Sequence, residues 1–256
     1  GQWTALAPAI DLELVNQLGR DLTLEAQEGK LVSPIFGRAA ELRALFVTLY
    51  RETKRNPVLV GPAGKCLAAV VEKLAQLVVA GEVPPLLGGA RIIEIIPSAL
   101  MAGAKHLGEF EERVNRVIAL AEQTSGLLLF MDEIHLLTGV GVPGMMDAAS
   151  IFKPALARGR VCLIGATTPG GFRQLEKDSA LARRLRKVPV EEPPREVVQA
   201  ILRATADRAE QRLSVQVPDT LLPEIIDLSD RYMRRSCQPD IAIDLLQEAC
   251  AELALD

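Results

Sequence analysis

Two segments of this chain carry residue types at spacings that could handle a phosphate group and a metal ion. The first is Val58-Leu59-Val60-Gly61-Pro62-Ala63-Gly64-Lys65-Cys66-Leu67-Ala68, an apolar run entering a glycine-containing turn. A helical pattern at Val70, Val71, Leu74, Ala75 and Val78 follows it. Strand, turn and helix in that order are the setting of a phosphate-binding loop, G-x-x-x-x-G-K-[ST]. In such a loop backbone N–H groups surround phosphate oxygens, the lysine reaches the outer phosphates, and the hydroxyl holds magnesium. Counted from Gly61, the second glycine falls on Cys66, the lysine on Leu67 and the hydroxyl on Ala68. Gly61 and Gly64 keep part of the turn, with Pro62 and Ala63 between them. Cys66 adds a Cβ where backbone must approach phosphate. Leu67 removes a charge-assisted contact worth roughly 1.5–3 kcal/mol, and Ala68 removes a metal ligand. Together these losses could carry a micromolar site toward millimolar. Lys65, two positions nearer the loop tip, is expected to point elsewhere and so to be no ready substitute.

The second segment is Leu127-Leu128-Leu129-Phe130-Met131-Asp132-Glu133, an apolar strand ending in two carboxylates. In phosphate-loop enzymes this is the Walker B form: the Asp holds magnesium and the Glu polarises the attacking water. The same residues also fit a buried parallel strand capped by acids at a helix start. Its position downstream of a phosphate-loop-shaped segment favours the nucleotide-site reading.

Periodicity supplies the framework around these groups. Strands and helices alternate from about residue 39 to 192, which predicts a parallel sheet covered on both faces by helices. The helix over 39–54 places Leu42, Leu45, Phe46 and Leu49 on one face, and the helix over 108–122 does the same with Phe110, Val114, Val117, Ile118 and Ala121. Strands are expected at 57–60, 92–96, 127–131, 161–165 and 187–190. After Glu191-Glu192-Pro193-Pro194 the pattern is wholly helical, with Val198, Ile201, Leu202 and Thr205 on one helix and Leu222, Ile225, Ile226 and Leu228 on another. Pro239 suits the first turn of a last helix, where its missing N–H is not needed. The expected division is an α/β nucleotide-binding unit over 1–193, residues 1–18 being a lead-in, and a small all-helical lid over 194–256.

Composition narrows the partners. At 256 residues the chain can bury a sizeable core. A formal net charge of −4 gives no reason to expect nucleic acid or an anionic membrane as partner. No apolar run reaches the length of a membrane span, and no signal segment opens the chain. Cys66, Cys162, Cys237 and Cys250 show no C-x-x-C spacing, which points to a reducing, cytoplasmic compartment. Cys162 sits inside an apolar run and reads as a small buried hydrophobe. His106 and His135 do not make a metal site. Gly1 in place of Met fits a cut tag or an excised fragment, and in the second case flanking domains are to be expected.

From Gly19 to about Ala251 the chain resembles the first ATPase module of the Clp-type AAA+ protein unfoldases, the ClpB and ClpV chaperone family. The resemblance rests on Gly19-Arg-Asp-Leu-Thr23, Ile35-Phe-Gly-Arg38, Asn56-Pro-Val-Leu-Val60, Ala102-Gly-Ala-Lys105 and Gly108-Glu-Phe-Glu-Glu-Arg113. It continues through Lys153-Pro-Ala-Leu-Ala-Arg-Gly159, Gly165-Ala-Thr-Thr168, Glu176-Lys-Asp178, Arg183-Arg184 and Gln238 to Ala249. It implies an AAA+ sheet with a helical lid, ATP or ADP with magnesium as ligands, a hexameric ring and a polypeptide client. Thr168 matches the sensor of the γ-phosphate, although a Thr at a strand end is common. Arg183 and Arg184 match the arginine fingers that act in a neighbouring subunit's site; outside the family such a pair reads as solvated helix. Ile35, Phe36, Ile241 and Asp244 correspond to adenine-facing walls, although Ile35 and Ile241 also fit plain core. The family has Lys at the position of Ile241. Lys105, His106 and Leu107 align with the axial pore loop, where the family carries Lys-Tyr-Arg; a loop residue without a task is the competing reading of His106. Motor site and gripping loop depart from the pattern together. The expectation is a ring-forming scaffold or regulatory chaperone subunit with weak or lost hydrolysis. An active unfoldase with an atypical loop and a nucleotide-free interaction module are the alternatives.

Overall fold

The structure is a computed structural model; it describes residues 11–31, 37–62, 66–102, 107–138, 148–233 and 237–255. The elements in order are α1 (Leu12–Leu18), β1 (Gly19–Asp21), α2 (Leu22–Gln27), α3 (Ala39–Leu49), β2 (Asn56–Val60), α4 (Cys66–Ala80), β3 (Arg91–Ile95), α5 (Pro97–Met101) and α6 (Leu107–Gln123). Then come β4 (Leu127–Met131), a short 3-10 turn (Ile134–Thr138), α7 (Ala148–Ala157), β5 (Leu163–Thr167), α8 (Pro169–Glu176), α9 (Ser179–Ala182) and β6 (Leu185–Pro189). The chain finishes with α10 (Arg195–Leu213), α11 (Leu221–Tyr232) and α12 (Asp240–Leu253).

The six strands form one sheet in the order β1-β3-β4-β5-β2-β6. Every residue of β2, β4 and β5 is buried, because helices cover both faces of these central strands. At the edge, β6 buries Leu185 and Val188 but exposes Arg186 and Lys187, charges that suit an unpaired strand edge. The expected parallel sheet therefore holds for five strands. The sequence reading missed β1, which pairs antiparallel with β3 and closes the other edge. Three residues are too few to show an alternation of apolar and polar side chains, so periodicity gave no sign of it.

The helices lie in two layers. On one face Phe110, Val114, Val117, Phe152 and Leu175 pack with Val58, Val60 and Leu129. On the other, Leu45, Leu49, Leu67, Val71 and Leu74 pack with Leu59, Leu128 and Phe130. Leu14, Val15 and Leu18 of α1 join the first layer, so the lead-in reaches the core. A separate cluster of Val198, Leu202, Leu222, Ile226 and Leu246 holds α10, α11 and α12 together.

Two expectations shift at element ends and one on a helix face. The helix predicted over 39–54 stops at Leu49, with Tyr50 in a turn and Glu52 to Lys54 in bends. The strand predicted over 161–165 runs two residues later, so Thr167 belongs to it. Leu228, read as part of the inward stripe of its helix, is 48% exposed. The inward positions of α11 are Leu222, Ile226 and Ser229, spaced four and three apart, and Leu228 falls off that line.

Candidate functional site

The C-terminal ends of β4, β5 and β2 stand side by side, and their register places the residues just beyond each strand. Met131 pairs with Gly165, and Val60 pairs with Thr167. The Gly61 N–H donates to Thr167 O at 3.3 Å, carrying the ladder one residue into the loop. From β2 the chain leaves into α4 on one face of the sheet; from β5 it leaves into α8 on the other. A crevice opens where neighbouring connections part to opposite faces, and in open α/β sheets ligands bind there. Asp132 and Glu133, Thr168, and the loop from Gly61 meet at this edge.

Gly61 could not be any other residue: a Cβ there would stand 2.5 Å from Val190 O and 3.0 Å from Leu67 Cδ2. The same contact locates Leu67. Its side chain is 3% exposed and lies in the second apolar layer with Val70, Val71 and Leu74. The residue that the count from Gly61 places at the lysine position thus points into the core beneath the loop. Ala68 is half-buried against the same layer and offers no oxygen. Ala63, Gly64 and Lys65 lie outside the described residues. Cys66 begins α4.

Asp132 follows β4 directly. Its Oδ1 accepts the N–H of Glu133 at 2.8 Å. Burial pushes its carboxyl above the usual range; the charge of Glu133 pushes the same way, while the Glu133 N–H and His135 oppose. A half-buried carboxylate with lone pairs to spare is what a hard cation coordinates, so Asp132 fits magnesium. The loop does not, since neither Leu67 nor Ala68 has a donor atom. Among the described residues no group of three or more His, Cys, Asp and Glu could hold a metal.

Glu133 adopts the left-handed region at φ 50°, sparsely populated for a side chain with a Cβ. The conformation is held at both ends, by the N–H bond to Asp132 and by Leu136 N–H donating to Glu133 O at 2.8 Å. It brings Glu133 Oε2 to 3.0 Å from His135 Nδ1, which in turn lies 2.8 Å from Thr167 Oγ1. Sequence reasoning passed over His135 and Thr167. The only signal was the offset of His135 two residues beyond Glu133. Thr168 caps α8: its Oγ1 accepts the Gly171 N–H at 3.1 Å, a bond that does not use the hydroxyl proton.

The arginine pair sits at the other end of the sheet. Arg183 ends α9 and is exposed. Arg184 donates to Ala180 O, and its own carbonyl accepts from Asn56 Nδ2 at 3.2 Å. Asn56 opens β2 and pairs with Leu185, so about 13 Å of strand separates the pair from the crevice. An arginine cannot bridge that within one chain.

Between the sheet and the final helices, Gly37 at φ 69° lies against Val197 of α10, where a Cβ would stand 2.9 Å from Val197 Cγ2. Next to it the Arg38 guanidinium donates to Glu41 at 2.7 Å and to Glu191 O at 2.8 Å. This brings the end of the Ile35–Arg38 segment to the lid. Ile35 and Phe36 themselves lie outside the described residues. Ile241 is buried in the first turn of α12, and Asp244 is exposed on the same helix. Of the pore-loop residues, Lys105 and His106 lie outside the described residues, and Leu107 begins α6. No helix among the described residues is long and apolar enough to cross a membrane.

Comparison with known proteins agrees with this geometry. The profile of the ATPase family associated with various cellular activities (AAA) matches residues 57–191, and that of the AAA lid domain matches 195–256. A chaperone protein ClpB of Meiothermus ruber is 46% identical over 243 residues, covering 94% of this chain and 28% of the relative. One from Staphylococcus epidermidis is 45% identical over 253 residues, covering 98% and 29%. The chain thus spans less than a third of these relatives. Among solved structures, Hsp104 in a closed state with ATPγS and FITC casein superposes with a TM-score of 0.86 at 39% identity, over 94% of this chain and 42% of that one. The S. cerevisiae Hsp104–ADP complex gives 0.86 and 39%, over 94% and 41%.

Proposed function

The chain belongs to the AAA ATPase family, as a Clp-type module like those of ClpB and Hsp104, and from that membership we propose a chaperone module that keeps its nucleotide site in outline while hydrolysis is weak or lost. The observation that carries this reading is Leu67, whose side chain packs in the core where a working loop sends an ammonium group to the phosphates. Asp132 would hold a magnesium ion, which when bound shields the phosphate charge. Glu133 would orient water, and the Thr168 hydroxyl would donate to a phosphate oxygen. Adenine would lie between residues 35–38 and the start of α12, with Ile241 and Asp244 on the lid side. Residues 1–193 form the nucleotide-binding unit and 194–256 the lid, a division supported by the separate apolar cluster of α10 to α12.

The module acts as a ring-forming scaffold or regulatory subunit. Arg183 and Arg184 serve a neighbouring copy, a role supported by their distance from the chain's own crevice. Two of the similar Hsp104 structures are described with casein, which supports a polypeptide client contacted by residues 105–107. The order of Asp132, Glu133 and Thr168 favours a second reading, an active unfoldase with an atypical loop. Calorimetric titration with ATP and ADP, with and without magnesium, together with steady-state ATPase assays, separates the readings. Weak binding with negligible turnover is expected. Turnover that disappears in Glu133→Gln overturns the scaffold reading, and no binding at millimolar ATP favours a nucleotide-free module.

A further inference from the structure

In the lid, α10 and α12 enclose a groove of about 290 Å³, and none of the residues lining it belongs to the crevice. Its cause lies in side-chain size. Along the faces that pack together, the buried positions of α10 run from Val198 and Leu202 to Ala206 and Ala209, and those of α12 from Leu246 to Cys250. Bulk thus falls toward the end of α10, and the short side chains of Ala209 and Cys250 leave room that close-packed helices would otherwise fill. Thr205, Ala209 and Cys250 make a buried floor. The Thr205 hydroxyl donates to Ile201 O at 2.9 Å, so its proton is used within the helix. Leu213 and Gln247 complete the walls.

The rim is cationic. Arg208 and Arg212 stand one turn apart on the same side of α10, and both line the groove. The Arg208 guanidinium donates to Thr205 Oγ1 at 3.4 Å, which folds it over the floor. Among the described residues no carboxylate lines the opening, although the chain as a whole carries a net charge of −4. Like charges at this spacing weaken a helix, so the pair is better matched to an anion than to itself. Guanidinium forks fit carboxylate oxygens and also stack on aromatic faces. The volume lies at the small end of ligand pockets, sized for one large side chain, and aromatic side chains are the common anchors of protein interfaces. We propose that this groove is a docking site for an acidic segment of a partner protein. An aromatic side chain of that segment lies against Thr205, Ala209 and Cys250, and a neighbouring carboxylate meets Arg208 and Arg212.

An NMR titration of the isotopically labelled intact chain tests the site with three capped tripeptides, Glu-Phe-Glu, Lys-Phe-Lys and Glu-Ala-Glu. Glu-Phe-Glu is expected to give saturable shifts around residues 205–213 and 247–250, and the other two none of comparable size. Arg212→Gln should weaken the binding about tenfold. Ala209→Phe places a ring in the groove from within, so binding should vanish while the melting temperature holds or rises. Cys250→Leu is a second way to fill the groove if Ala209→Phe lowers that temperature. Arg212 is exposed, so Arg212→Gln decides by itself if both fillings destabilise the lid. Equal binding of Lys-Phe-Lys or of Glu-Ala-Glu overturns the inference, and so do shifts that lie elsewhere or that persist undiminished in Arg212→Gln. ATP titrations of Ala209→Phe should match those of the parent chain, so this docking site and the crevice reading fail separately.

Discussion

Replacing Leu67 by lysine sets two measurable effects against each other. The leucine is 3% exposed and touches the layer formed by Val70, Val71 and Leu74. Emptying such a position costs about 2–5 kcal/mol when the side chain is cut to alanine. A lysine can keep part of its stem in the apolar layer, but the ammonium must leave it for the loop, so a loss of about 2–3 kcal/mol is expected. Once over the loop the ammonium can meet phosphate in a contact worth roughly 1.5–3 kcal/mol, which is roughly a 10- to 150-fold gain in ATP affinity. Urea denaturation without nucleotide reads the first effect, and calorimetry with magnesium and ATP reads the second. Leu67→Met conserves volume, should cost under about 1.5 kcal/mol, and should leave affinity unchanged. Combining Leu67→Lys with Cys66→Gly and Ala68→Thr should raise affinity further. If Leu67→Lys neither destabilises the fold nor tightens binding, Leu67 does not stand at the lysine position and the count from Gly61 is wrong.

Arg20 joins Glu94 at 2.5 Å, Glu25 at 2.9 Å and Glu72 at 3.0 Å, tying β1 to β3, α2 and α4. Arg20→Met leaves three carboxylates together, so about 1–3 kcal/mol should be lost at pH 7 in urea titrations, and less near pH 4 as they protonate. Asp132 has a raised pKa from burial, so the folded state holds its proton more tightly than the unfolded chain does. Its carboxylate therefore contributes a destabilisation that is absent at low pH and grows as pH rises through the folded pKa. Asp132→Asn should accordingly raise the melting temperature at pH 7, with the difference vanishing below pH 4. A hydrogen bond to the Glu192 carboxylate pushes the Cys237 thiol up to about 11, burial adding to it. At pH 8 its thiolate, and hence its alkylation rate, should be roughly 100-fold below that of an ordinary thiol. Glu192→Gln should recover most of that rate when peptides labelled with iodoacetamide are counted by mass spectrometry, and no recovery would mean that Glu192 does not govern it.

Much of the arrangement is readable along the chain. The apolar runs at β2 and β4 announce buried strands because side chains covered on both faces must be apolar throughout. The stripe Phe110, Val114, Val117, Ile118 and Ala121 marks its helix because a spacing of three and four residues makes one face. Asp132 and Glu133 are legible at a strand end, and Thr168 enters only through the family resemblance; parallel strands then deliver both ends to one edge.

What the loop lacks is legible in the same way, because missing donor atoms are a matter of composition. Only the folded chain sets where the replacements go and what else gathers at each edge. Local propensity favours a helix around Leu67, but it takes the layer formed by α3, α4 and β2 to make the core its destination. Asn56 and Arg184 are more than a hundred residues apart, and nothing in either neighbourhood announces the other; the register between β2 and β6 brings them into hydrogen-bond contact. His135 meets Thr167 for the same reason. Contacts between distant residues depend on strand order, and strand order is settled by which buried faces can be covered together, a property of the whole chain.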